Sequence, residues 1–252
     1  MLTHDRKAHL LSLLAATGSV VAKDVSRDLG LSEDTIRRDL RELARDGLLK
    51  RVHGGAVPLA AANAPFPSRV AIASPEKVAI GKRAARMVEP GQVVFVDGGT
   101  TALQLVRHLA PRLAATVITH SPNVAMALLE HEGLTIEIVG GRLFRHSVVT
   151  TGAATLAWLD RYRPDICFIG ATGVHTAEGI TTGDSEEAEV KRAVIAKSGS
   201  AIVLASPEKL GAVSSFAVAR LADIDGLVVS KETHAKAQKE FDPTGCEIYS
   251  GD

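Results

Sequence analysis

Cysteine is scarce: Cys167 and Cys246 are the only two in 252 residues, too few for a disulfide framework, and both sit in apolar segments that read as strands. That usage suits a reducing, cytoplasmic setting. Net charge is absent as well, since 29 Lys and Arg balance 29 Asp and Glu, so any site for a polyanion has to be local. No apolar run approaches the roughly 18 residues that a membrane-spanning helix requires, so no membrane partner is expected. Arg6 and Lys7 ahead of Leu10-Leu11-Ser12-Leu13-Leu14-Ala15-Ala16 imitate a secretion signal, but Leu10, Leu13 and Leu14 share one helical face and no clean cleavage site follows. The nine histidines are scattered without metal-ligand spacing, so they read as structural or surface groups and no metal is expected. What is present, 46% hydrophobic and 23% charged residues, excludes disordered, collagenous and coiled-coil chains and suffices for one large domain or two ordinary ones.

The stretch from Pro58 to Pro67 holds three prolines and no hydrophobic period. It reads as the start of a linker, residues 58–73, between an N-terminal domain of residues 1–57 and a C-terminal domain of residues 74–252. Residues 1–57 carry ten Lys and Arg against eight Asp and Glu, so the small positive excess lies in the shorter part.

Three helical patterns occupy that part, Arg6 to Thr17, Ala22 to Leu29 and Glu33 to Asp46, punctuated by Gly18 and Gly30. Ser32 is placed to cap the third, whose inward face is Ile36, Leu40 and Leu43. Its other face carries Arg37, Arg38, Arg41 and Arg45. After Gly47, Leu48 to Val57 reads as two short strands about Gly54-Gly55. Helix, turn, helix and hairpin make a winged helix-turn-helix, whose second helix enters the DNA major groove. Ser32, Asp34, Thr35, Arg37, Arg38 and Arg41 would then face DNA, with Arg51, His53, Gly54 and Gly55 on the wing. The bland alternative is a solvated helix face with an Asp34–Arg38 pair.

Beyond the linker, strands and helices alternate. Helices are expected over Glu76–Val88, Thr101–Leu109, Asn123–Glu130, Ser185–Ser198 and Thr233–Glu240, and strands over Gln92–Asp97, Ala115–Thr119, Leu134–Val139, Asp165–Gly170, Ser200–Ala205 and Gly226–Val229. Near-continuous apolar runs such as Val93-Val94-Phe95-Val96 suit a mainly parallel sheet covered on both faces, a doubly wound α/β domain.

Asp97-Gly98-Gly99-Thr100-Thr101 stands at the carboxyl end of a strand and opens a helix, an arrangement whose exposed amides, helix dipole and hydroxyls favour a phosphate. It is neither a P-loop nor a dinucleotide fingerprint, and a merely capped turn is the alternative. Other strand ends offer Ser121 and Asn123, Gly140 and Gly141, Glu187 and Lys191, and Lys209, where ligands of open α/β sheets collect. Glu187 and Lys191, four apart, read equally as an intrahelical ion pair. His120 and His175 sit at strand ends, Trp158 reads as helix packing, and Arg142 and Arg145 suit either an anion or the surface.

Leu31-Ser32-Glu33-Asp34-Thr35-Ile36-Arg37-Arg38-Asp39-Leu40-Arg41-Glu42-Leu43, with Gly47 and Arg51-Val52-His53-Gly54-Gly55-Ala56, resembles the DNA-binding signature of the DeoR family of bacterial transcriptional regulators. The C-terminal half resembles that family's effector domain, whose fold is similar to ribose-5-phosphate isomerase and CoA transferases. The resemblance implies a repressor of a sugar-catabolism operon that binds operator double-stranded DNA, controlled by a phosphorylated sugar. It assigns Ser32, Thr35, Arg37 and Arg38 to the recognition helix and His53-Gly54-Gly55 to the wing. Asp97, Gly98, Thr100 and Thr101 become the phosphate loop, and Asn123, Glu187, Lys191 and Lys209 line the pocket. Where the family commonly has an Asp, this chain has Ala205, which weakens a hydroxyl-binding or acid/base role there. No catalytic residue and no cofactor is expected. Two-fold operator recognition calls for a homo-oligomer, dimer or tetramer. The alternatives are a sugar-phosphate isomerase or acyl-CoA transferase using Asp97, Asp184 or Glu187 behind a DNA-binding domain, or a purely structural dimerisation domain.

Overall fold

A computed structural model of the chain describes residues 2–17, 19–46, 48–57, 66, 69, 75–241 and 245–252. Gly18, Gly47 and all of the expected linker except Phe66 and Arg69 lie outside the described residues.

The N-terminal domain runs α1 (Thr3–Thr17), β1 (Val20–Val21), α2 (Ala22–Leu29), α3 (Glu33–Arg45), β2 (Lys50–Val52) and β3 (Gly55–Val57). Gly30 ends α2 at φ 64°, the left-handed conformation that glycine adopts without penalty, and Ser32 then caps α3. Leu10 and Leu14 of α1, Val25 of α2 and Ile36, Leu40 and Leu43 of α3 close one core. A buried ion pair absent from the periodicity argument staples this core: Arg6 on α1 holds Asp39 on α3, with Nη2 3.1 Å from Oδ1. The wing is three-stranded, because β1 pairs antiparallel with β3 at Val20–Ala56.

The C-terminal domain runs α4 (Pro75–Ala85), β4 (Val93–Val96), α5 (Thr100–Arg107), β5 (Ala115–Thr119), α6 (Pro122–Leu128), β6 (Leu134–Ile138), β7 (Arg142–Phe144), β8 (Val149–Thr151), α7 (Ala153–Leu159), β9 (Ile166–Gly170), β10 (Gly173–His175), β11 (Gly179–Thr182), α8 (Ser185–Lys197), β12 (Ser200–Leu204), β13 (Phe216–Ala219), β14 (Gly226–Ser230), α9 (Lys231–Phe241) and β15 (Glu247–Gly251). Seven of these strands form one all-parallel sheet in the order β15-β14-β12-β9-β4-β5-β6. Alternate residues feed different cores, as a pleated strand requires. Val94, Val96, Ile202 and Leu204 pack with α4, α5 and α6. Phe95, Cys167, Ala201 and Val203 pack with α8, α9 and the small antiparallel sheet β10-β11-β13. Both cysteines are buried, and burial pushes the Cys167 thiol up to about 12 and that of Cys246 up to about 11, so they serve as apolar filling. Chain order turns back between β4 and β9, the switch point at whose carboxyl side open sheets bind ligands.

The elements the sequence reading lacked are the β7–β8 hairpin, α7, the small sheet and β15. Trp158 corrects an expectation: it is 43% exposed on α7, with the Arg161 guanidinium 4.4 Å above its ring.

Candidate effector cavity and DNA-binding face

On α3 the hydrophobic period turns Ile36, Leu40 and Leu43 inward and leaves Asp34, Arg37, Arg38 and Arg41 exposed. Ser32 Oγ accepts the Thr35 N–H at 3.2 Å and lies 2.8 Å from Thr35 Oγ1, so both side chains are held at the start of the helix. The ion pair that forms on this face is Arg37 with Glu33, at 2.7 Å, one position earlier than the Asp34–Arg38 spacing. Arg51 and His53 are exposed on the wing. The two wing glycines do different things. Gly54 turns the hairpin at φ 79°, whereas Gly55 is buried where a Cβ would come within 1.9 Å of the Val20 carbonyl oxygen. Gly55 therefore shapes the wing from inside rather than presenting itself to a duplex, which corrects its place among the expected DNA contacts.

At the carboxyl ends of β4, β9 and β12 a cavity of about 750 Å³ opens, lined on one side by Gly98, Gly99, Thr100 and Thr101. Gly99, at φ 115°, delivers the chain into α5, so the first amides of that helix face the cavity. Thr101 Oγ1 is buried there with no hydrogen-bond partner. Gly98 leaves no room for a side chain, since a Cβ would stand 2.2 Å from Val149 Cγ1.

Asp97 lies beneath this loop, 1% exposed, and corrects the expectation that it would touch the ligand. Its Oδ1 accepts the Gly98 N–H at 2.7 Å and faces His120 Nε2 at 2.7 Å; its Oδ2 accepts the Gly170 N–H at 2.7 Å and the Lys191 ammonium. Burial opposes ionisation, but the Lys191 charge and the His120 bond outweigh it and hold the Asp97 carboxyl well below the usual carboxylate range. The carboxylate thus ties three strand ends, β4, β5 and β9, to α8. Lys191 lines the cavity but pairs with Asp97 rather than with Glu187, so the intrahelical pair expected from their spacing is not the one formed. Asp184 caps α8 through bonds of 3.0 Å from the Glu186 and Glu187 N–H groups.

Glu187 and Lys209 also line the cavity. Lys209 Nζ donates to the Leu204 carbonyl at 3.4 Å. Burial pushes its ammonium down to about 8, opposed by Glu208 and assisted by the charges of Lys77, Arg69 and Lys191. Lys77 reaches Glu208 at 3.6 Å. Four other expected contacts stand elsewhere. Ser121 is fully buried and donates to the Val148 carbonyl at 3.2 Å, Asn123 lies on α6, and Gly140 and Gly141 are on an exposed loop tied down by Thr155. None of the four lines the cavity. A strand end is only a place in the chain; whether it faces the cavity depends on which neighbour covers it, and β8 covers that of β5 through the Thr150–His120 backbone bond.

Arg69, Lys77, Asp184 and Glu208 line the cavity and were not among the ligand contacts expected from the sequence. No local pattern distinguishes Arg69 or Lys77 from surface cations, whereas Asp184, opening the polar run before α8, carried the N-cap signal. His175 accepts the Ala177 N–H at 3.2 Å and braces the β10–β11 turn. Arg142 pairs with Glu186. The wing reaches the cavity too: Lys50 lines it, with Nζ 3.4 Å from Ser215 Oγ, and Arg51 and His53 share a neighbouring groove with Glu178 and Ala217.

Comparison with known proteins matches residues 6–60 to the DeoR-like helix-turn-helix domain and residues 72–231 to the DeoR C-terminal sensor domain. The chain is 30% identical over 253 residues to the HTH-type transcriptional regulator GlpR of Haloferax volcanii, covering 100% of this chain and 99% of that one. It is 30% identical over 250 residues to the HTH-type transcriptional repressor GlcR of Bacillus subtilis, covering 98% and 96%. The glycerol-3-phosphate regulon repressor of Escherichia coli is 30% identical over 208 residues, 82% of each chain. Among solved structures, ribose 5-phosphate isomerase A of Methanocaldococcus jannaschii is similar at a TM-score of 0.39 and 24% identity over 53% of each chain, and no residue takes a role from that likeness. With a helix-turn-helix carrying an exposed arginine face and a sensor domain matched over more than half its length, the chain belongs to the DeoR family of DNA-binding transcriptional regulators.

Proposed function

We propose that this regulator is a repressor of a sugar-catabolism operon whose grip on operator DNA is set by a phosphorylated sugar bound in the C-terminal cavity. The observation that carries the ligand class is Thr101 Oγ1, buried and without a partner at the amino end of α5, in a cavity that Gly98, Gly99 and Lys209 also line. A buried hydroxyl without a partner costs about 1–3 kcal/mol, and a phosphate oxygen at the helix start relieves that cost. Glu187, 7% exposed, and Asp184 offer acceptors for sugar hydroxyls. The similarity to a glycerol-3-phosphate regulon repressor supports the same reading.

An isomerase or acyl-CoA transferase would need a poised carboxylate. The family is one of regulators; Asp97 has both oxygens occupied and Asp184 caps a helix, which leaves Glu187 as the carboxylate such an enzyme would have to use.

Operator recognition is by a homo-oligomer, because one winged domain spans few base pairs and paired domains set half-site spacing. Exposed Met126 and Leu129 on and beside α6, and Ile138 on the edge strand β6, support self-association there. Sedimentation at micromolar concentration is expected to show a species larger than 26.5 kDa. The ligand reading is tested by thermal unfolding with a panel of pentose, hexose and triose phosphates. A ligand present at about 100 times its dissociation constant adds about 2.7 kcal/mol. That gain is expected to disappear in Thr101→Val, and a panel that stabilises nothing rejects the reading.

A further inference from the structure

Between the two domains, two residues are anchored on the C-terminal one. Phe66 is 6% exposed within the core that α4, α5 and α6 share, and its N–H donates to the His146 carbonyl at 2.9 Å. Arg69 lies with its guanidinium carbon 5.9 Å from the Phe66 ring centroid and lines the cavity. Its Nε and Nη2 are both buried, and neither has a hydrogen-bond partner. A guanidinium is strongly solvated in water, so burying two donors of its fork without acceptors is expensive unless something else supplies them. Burial pushes its guanidinium below the ordinary arginine range, against the opposing charges of Glu187 and Asp97.

Lys191 is neutralised by Asp97, and Lys77 faces Glu208. Lys209 donates to a carbonyl, and Arg69 adds to the positive charge around it. Arg69, half-buried, and Lys209, buried, are thus two cations with no carboxylate hydrogen-bonded to either, in a cavity that Glu76 and Glu187 also line, and a phosphate can accept from both. The planar fork of an arginine suits two phosphate oxygens at once.

Resting on the reading of the cavity as a phosphorylated-sugar site, we infer that Arg69 is a ligand-binding residue that completes the phosphate subsite with Thr101 and Lys209. The ligand site therefore takes in a residue that lies between the two matched domains along the chain. A bound phosphate holds Arg69 against the cavity. A ligand that favours this placement of Arg69 over others has the differential interaction that altering DNA affinity requires.

The test uses the full chain and calorimetric titration with inorganic phosphate, glycerol 3-phosphate, glucose 6-phosphate and fructose 1-phosphate. Arg69→Gln is expected to weaken the best of these about 10- to 100-fold, the loss of charge-assisted bonds, and Arg69→Lys to recover part of it. The ligand-free melting temperature of Arg69→Gln should stay close to that of wild type, because Nε and Nη2 make no internal hydrogen bond. Hydrogen exchange of the peptide carrying Phe66 and Arg69 should slow on saturation with ligand in wild type and not in Arg69→Gln. Equal affinity in Arg69→Gln, or weakened binding accompanied by a lower ligand-free melting temperature, overturns the inference. If Thr101→Val binds as wild type does while Arg69→Gln fails, the threonine-loop reading falls and Arg69 stands. If wild type binds none of the four, both fall.

Discussion

Asp97 and Lys209 show how one cavity sets opposite demands on its charges. Asp97 is held ionised by Lys191 and His120, so its folded pKa lies below the unfolded one and its contribution to stability is complete above the ordinary carboxylate range. It is lost as pH falls below that range. Asp97→Asn leaves the Lys191 ammonium buried without a counter-ion, and both the melting temperature and phosphosugar binding are expected to drop. Lys209 runs the other way: its folded pKa of about 8 is below that of a free lysine, so keeping it charged costs stability below pH 8, and the cost is relieved as pH rises. An anion restores the charge. Ligand affinity is therefore expected to fall by about tenfold per pH unit above 8, and calorimetry on Lys209→Gln should show a weaker, nearly flat profile. In the N-terminal core, Asp39→Ala strands the Arg6 guanidinium and is expected to cost about 2 kcal/mol, read as a lowered denaturant midpoint.

At the scale of elements, the recognition helix was legible because its signals are local: a cap at Ser32, a period of 3.6, and arginines on the face that the period leaves outside. Replacing Arg37 and Arg38 by alanine is expected to cost about 1–3 kcal/mol of operator affinity for each arginine that reads a base, and to lower the salt slope by about one for each that touches only phosphate. Fluorescence anisotropy across a salt series separates the two. The wing divides differently. Gly55→Ala drives a methyl into the Val20 carbonyl and should cost about 2 kcal/mol or more, whereas Gly54→Ala meets no atom within 4 Å and pays about 1 kcal/mol for its positive φ. Thermal unfolding of the two variants ranks them. The β7–β8 hairpin and the small sheet β10-β11-β13 were not legible, because strands of three or four residues carry too few alternations to stand out from loops.

For the whole molecule, the decisive feature is that the wing touches the cavity of the sensor domain. Lys50 belongs to a wing strand and yet lines the sensor cavity beside Ser215. Lys50→Ala is expected to shrink the ratio of operator dissociation constants measured with and without saturating phosphosugar. An unchanged ratio would show that coupling bypasses this contact.

By itself the sequence determined the two-domain order, the winged helix-turn-helix, the parallel α/β alternation and the glycine-threonine loop, since each is written in residues near one another along the chain. Only the tertiary structure decided which strand ends face the cavity, that Asp97 supports the loop from below, and that Lys191 serves Asp97 94 positions away. It also brought Arg69 and Lys50 to the site. Those pairings depend on burial and on which charges find each other in a low-dielectric interior, and no spacing along the chain encodes that.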